Sequence, residues 1–193
     1  MTELEVLCAE LTCGDDVRAE KAALLLPKLG TAARQALQLL LKAPDVDVRW
    51  WGICALAGFE NIGEMLSDLL AALEDESAEV RQAAAMALCH HPDPQAVPLL
   101  IHALDDADLM TAKLASNALI SIGAVATPAL LNVLNSGTHS ARLEAVRALA
   151  EIKDPLAIPG LMKALETDSA LMKYWAGLGL DNLGVGMLYF KPQ

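Results

Sequence analysis

The chain repeats itself at a fixed period. Starting from Arg49 in DVRWWGICAL, equivalent positions fall at Arg81 in EVRQAAAMAL and Arg142 in SARLEAVRAL. Fainter copies place Arg18 in DDVRAEKAAL, Ala112 in LMTAKLASNAL and Lys173 in LMKYWAGLGL, giving steps of 31, 32, 31, 30 and 31 residues. A leucine follows seven residues after each: Leu25, Leu56, Leu88, Leu119, Leu149 and Leu180. A second ladder, Leu41, Leu73, Leu104, Leu134 and Leu165, keeps the same step. Two ladders in one register are not coincidence, and a period of this length marks a stack of small supersecondary units.

Each unit reads as two helices. The first begins four residues before the Arg position, where Asp45, Ser77, Asp108, Thr138 and Ser169 offer side-chain oxygens to the free amides of a first turn. The first copy departs, with Gly14 there and Asp15 and Asp16 beside it. The second helix carries Pro98, Pro128 or Pro159 near its start, where a missing N–H costs least, and ends in acidic loops. A pair of about 31 residues cannot bury its own apolar faces, so the copies must stack. The predicted fold is all-α, an α-α superhelix of about six helix pairs with half-repeat caps. We read it as one domain over 1–193, with a capping helix in 1–14 and repeats at 15–44, 45–76, 77–107, 108–137 and 138–168. An incomplete repeat fills 169–193.

Composition agrees with helix: hydrophobic residues make up 54% and aromatics only 4%. A net charge of −11 argues against nucleic acid and against anionic membrane surfaces as partners. No apolar run reaches a spanning length, and the acidic start is unlike a secretory signal. Cys8, Cys13, Cys54 and Cys89 are irregularly spaced, so reduced thiols and a cytoplasmic location are expected.

Candidate contact residues follow from the helix faces. Trp50 points almost opposite the repeating apolar positions, and Trp51 lies at the flank. Tyr174 and Trp175 repeat that pair in register. Trp51 and Trp175 also suit packing between repeats, whereas Trp50 and Tyr174 suit an outward anchor. On the second helices, His102, Asn132 and Lys163 form a polar stripe with Asp105, Asn135 and Glu166. The recurrence of Arg18, Arg49, Arg81 and Arg142 favours a structural role, bonding to carboxylates or carbonyls of adjacent loops. CHHPD, residues 89–93, places Cys89, His90 and His91 consecutively, so their side chains diverge and no metal site is expected. No Gly-rich phosphate loop and no recognisable nucleophile motif appear, so the residues argue against catalysis.

Repeats such as EVRQAAAMALCHHPDPQAVPLLIHALDD and SARLEAVRALAEIKDPLAIPGLMKALETD resemble HEAT repeats, closest to the short variety of phycobilin lyases. The resemblance implies a solenoid whose second helices line the concave face. Two functional readings stand. The leading one is a non-enzymatic module that binds a protein or peptide through that face and the outward aromatics, with no cofactor. The alternative, implied by the resemblance, is a tetrapyrrole-handling protein similar to phycobilin lyases. It would stack an open-chain bilin on its rings and pair the propionates with Arg49 or Lys163. The apolar tail MLYF, residues 187–190, would allow a monomer to form a weak homodimer through its C-terminal end.

Overall fold

In the computed structural model, which describes residues 1–61, 63–167 and 169–185, every regular element is helical. Side-chain caps explain where the first helices start. Asp15 accepts from the amides of Val17 and Arg18 to open α2 (Asp16–Leu25), and Asp45 accepts from Asp47 N to open α4 (Val46–Leu56). Asp108, Thr138 and Ser169 do the same for α8 (Leu109–Ile122), α10 (His139–Ile152) and α12 (Ala170–Asn182). Ser77 is the exception: its side chain does not cap α6 (Ala78–His90), and its own amide donates to Asp75 Oδ1 at 2.9 Å. Among the second helices, α7 (Val97–Ala103), α9 (Thr127–Ser136) and α11 (Ile158–Ala164) each hold proline at their second residue. There the ring fixes a helical φ without sacrificing a helix bond. The chain opens with α1 (Glu3–Leu11), held by a capping box between Thr2 and Glu5.

Contacts group the chain into two units, 1–91 and 92–193. In the first, α2, α4 and α6 lie side by side, with α1 against α2. The second helices α3 (Thr31–Leu40) and α5 (Leu66–Ala72) pack on α4 and α6. Leu26, Leu37, Ile53, Leu56, Leu69 and Leu88 are sealed from solvent between these layers. In the second unit, α10 lies between α8 and α12, and α9 between α7 and α11, around Leu100, Leu104, Leu119, Leu130, Leu149 and Leu161. Small residues let the first helices approach closely. A Cβ on Gly179 would stand 2.9 Å from Ala150 Cα and equally close to Leu161 Cδ1.

The first copy runs one residue later than its arginine suggests. Leu25 is 42% exposed, whereas Leu26 is fully buried in the ladder position. Ala19 is buried, and Asp15, not Gly14, is the cap four residues before it. Ala19 therefore occupies the Arg position, and Arg18 falls off the ladder onto the exposed flank.

Residues Leu109–Ser136 are together long and apolar enough to cross a membrane by composition. Gly123, at φ 81°, breaks that run into α8 and α9. Ala112, Ala115, Ala118, Leu119, Leu130 and Leu134 from the same run are buried within the second unit.

Thr127 is fully buried at the start of α9, and its hydroxyl has no partner among the described residues. A buried, unanswered hydroxyl costs about 1–3 kcal/mol, which an apolar group of the same shape removes. Thr127→Val should therefore raise stability by about 1 kcal/mol and the melting temperature by a few degrees. A lower melting temperature in calorimetry would contradict this.

Candidate functional site

The arginines differ sharply in what they hold. Arg49, only 6% exposed, donates from Nε and Nη2 to the two carboxylate oxygens of Asp75, each at 2.8 Å. Its Nη1 reaches the carbonyls of Ala43 at 2.9 Å and Pro44 at 3.1 Å. The planar fork thus fastens the loop before α4 to the loop after α5, and its bidentate face is fully engaged. Arg81 repeats the carbonyl half of this arrangement on Asp75 and Glu76, at 2.9 and 3.2 Å. Arg18, off the ladder, pairs instead with Glu10 on α1, where its bond holds the Glu10 carboxyl below the usual range. Arg142 donates from Nε to the carbonyl of Leu134 at 3.0 Å, and no described carboxylate accepts from it.

Two cavities of the same construction lie beside Arg49 and Arg142. The first, about 120 Å³, is lined by Leu41, Lys42, Arg49, Asp68, Ala71 and Asp75, among others. The second, about 230 Å³, is lined at matching positions by Leu134, Asn135, Arg142, Gly160, Lys163 and Thr167, and also by Glu166. The leucine ladders align them: Asp68 gives way to Gly160, Ala71 to Lys163, and Asp75 to Thr167. In the first, Lys42 and Arg49 face two aspartates. In the second, both aspartates are gone, and Lys42 gives way to Asn135 as Lys163 comes in, so the cations remain two. Lys163 Nζ donates to Asn135 Oδ1 at 3.2 Å, and Thr167 Oγ1 donates to the Ala164 carbonyl at 2.9 Å.

Of the polar stripe, then, the structure brings Asn135, Lys163 and Glu166 to one cavity. His102, Asn132 and Asp105 are exposed and line neither, and Asp105 accepts from Thr138 Oγ1. The role of Arg142 at the larger cavity was not read from the sequence. Its signal was the loss of an acidic residue two positions after the ladder leucine, Thr167 where Asp75 and Asp106 stand.

The aromatic pairs also separate. Trp50 is half-buried, its ring edge-on to Trp51 at 4.7 Å and 81°. Trp51 lines a small recess with Leu11, Asp16, Asp45 and Val48. Tyr174 is 61% exposed and stands edge-on to half-buried Trp175 at 5.4 Å and 74°. Helical periodicity gives Trp50 an outward direction, but the edge contact with Trp51 folds its ring back over the surface. Tyr174 alone of the four is exposed.

Among the described residues, no cluster of His, Cys, Asp and Glu could hold a metal ion. His91 Nε2 lies 2.8 Å from the Ala57 carbonyl. Burial pushes the Cys54 thiol up to about 11 and raises Cys8 and Cys89 as well. These three are neutral, poorly nucleophilic thiols at physiological pH. The tail at 187–190, offered for self-association, lies outside the described residues.

Residues 66–142 match the family model for HEAT repeats, and residues 141–167 match that for the PBS lyase HEAT-like repeat. Residues 66–142 thus carry HEAT repeats and residues 141–167 a repeat of the PBS lyase type, in an all-α solenoid fold. A "phycocyanobilin lyase subunit beta" from Nostoc sp. is 37% identical over 102 residues, 52% of this chain and 51% of that protein. The "bilin biosynthesis protein RpcF" of a Synechococcus strain is 39% identical over 83 residues, 43% of this chain and 40% of its own length. A "phycobilisome maturation protein" from Synechococcus elongatus is 38% identical over 108 residues, covering 55% and 52%. The chain thus spans about half the length of the curated relatives it matches. In fold, it resembles the complex of CpcE and CpcF of phycocyanin lyase from Nostoc sp., with a TM-score of 0.57, 24% identity, and coverage of 95% and 78%. It also resembles a designed armadillo repeat protein, with a TM-score of 0.52, 22% identity, and coverage of 94% and 100%.

Two expectations need correction. The leading reading, a non-enzymatic module that grips a peptide, is overturned by relatives named for bilin lyase, bilin biosynthesis and phycobilisome maturation. Under the alternative reading, Arg49 was to pair with propionates, but its donors are spent on Asp75, Ala43 and Pro44.

Removing Arg49 strands a partly buried carboxylate and two loop carbonyls. Arg49→Ala should cost about 3 kcal/mol, and Arg49→Lys should restore only part of it, because an ammonium lacks the fork. Burial pushes the Asp75 carboxyl up, but its bond from Arg49, the Ser77 amide and the charges of Arg49 and Arg81 outweigh this and hold it below the usual range. Such a group contributes fully above its unfolded value of about 3.9 and loses its contribution as pH falls through the lower folded value. Denaturant melts across pH 2–6 should therefore show a steeper acid loss in wild type than in Asp75→Asn. Parallel curves would remove the pair from the account. In a separate test at pH 8, a thiol reagent should modify exposed Cys13 well before Cys54. Equal rates would contradict the burial of Cys54.

Proposed function

We propose that the chain handles an open-chain tetrapyrrole, as a phycobilin-lyase-like protein that works together with a second protein subunit. The observation that carries this reading is the set of relatives at 37–39% identity, all named for bilin or phycobilisome processes. The name "subunit beta" in one of them supports a partner subunit, and any lyase activity belongs to that assembly. An exposed Tyr174 backed by Trp175 supports stacking against an extended conjugated ligand, since each ring offers a flat apolar face. Four free cysteines support a reducing, cytoplasmic setting.

Titration with a bilin tests the reading directly. Binding should quench tryptophan emission and shift the bilin absorbance bands as the chromophore leaves water. Tyr174→Ala should weaken binding by about fivefold, the loss of a stacking contact of about 1 kcal/mol. No quenching and no band shift at micromolar bilin would overturn the proposal.

A further inference from the structure

We infer that the cavity between α9, α10 and α11 is a carboxylate-binding subsite, and that it takes a propionate arm of the bilin. This rests on the tetrapyrrole reading. The comparison of the two matched cavities carries it. At the first, Asp75 answers Arg49, Asp68 accepts from Gln38 with Lys42 on the same wall, and the volume is about 120 Å³. At the second, Gly160 and Thr167 stand in place of the aspartates, Asn135 replaces Lys42, Lys163 replaces an alanine, and the volume rises to about 230 Å³. Among the described lining residues two cations face one carboxylate, Glu166, a net positive set in a chain of net charge −11.

The donors are also arranged for an anion. Arg142 uses Nε on the Leu134 carbonyl, which fixes the guanidinium plane, and no described residue accepts from its two terminal nitrogens. Lys163 gives one N–H to Asn135 Oδ1, which leaves the Asn135 amide nitrogen as a further donor. A guanidinium edge and an ammonium on one cavity wall suit a carboxylate, which accepts from both. The volume lies below the range of roughly 300–1,000 Å³ for sites that enclose a whole ligand. It therefore suits a side arm, with the conjugated body of the ligand lying outside.

The test compares biliverdin, which bears two free propionates, with its dimethyl ester, on wild type, Lys163→Met and the double variant Arg142→Met/Lys163→Met. Circular dichroism and melting confirm folding. Because Lys163 is exposed and bonds only Asn135, its single variant keeps the test valid even if loss of Arg142 unfolds the chain. Wild type should bind the diacid at least about tenfold more tightly than the diester, the worth of a charge-assisted pair. Lys163→Met should shrink that preference severalfold and leave diester affinity unchanged. Equal affinity for diacid and diester, or a diacid preference intact in Lys163→Met, overturns the subsite and leaves the tetrapyrrole reading standing. Binding of neither form overturns both.

Discussion

Neither helix of a thirty-residue pair can cover its own apolar stripe, and every other feature follows from that deficit. Burial of a leucine is worth about 2 kcal/mol only if a neighbour supplies the other wall. Here the neighbour is the next copy, so Leu56, Leu88, Leu119 and Leu149 must recur at a fixed step. Close approach then requires small residues between adjacent first helices, as at Gly179, where a Cβ would stand 2.9 Å from Ala150 Cα. It also brings successive inter-helix loops together. Arg49 spans two such loops, and the cavities beside Arg49 and Arg142 are by-products of the same stacking. What differs between copies is thus free to serve a ligand, because the shared positions already hold the fold.

The two cavities differ in what answers the shared arginine. Arg49 with Asp75 closes a loop junction. With Thr167 at that aspartate position and Lys163 at that of Ala71, the arginine loses its carboxylate and bonds instead through Nε to the Leu134 carbonyl. A buried arginine without a counter-ion would be costly, but Arg142 is only half-buried and keeps contact with water. Tyr174 contributes differently, as an exposed ring where stacking alone would have favoured a polar residue.

Much of this was legible in the sequence, and the gaps have physical causes. The ladders gave the helix pairs because burial imposes a strict period. The first copy slipped by one because Arg18 mimics the motif, whereas the cap, Asp15, sets the true register. Periodicity recorded that arginines recur, but a period describes what copies share. The function of Arg142 lies in what its copy lacks. The outward direction of Trp50 followed from helix geometry, yet a large ring with rotamer freedom can turn onto its neighbour, and Trp51 was that neighbour. Surface composition suggested a peptide-binding module because it cannot distinguish one mixed-charge groove from another. The resemblance to phycobilin lyases carried the information that composition lacked.

A crystal structure of the chain soaked with a bilin diacid tests the central claim most directly. One propionate should lie within hydrogen-bonding distance of both Arg142 and Lys163, in the cavity formed by α9, α10 and α11. Density for the bilin with both propionates directed elsewhere, and that cavity holding only water, would contradict it.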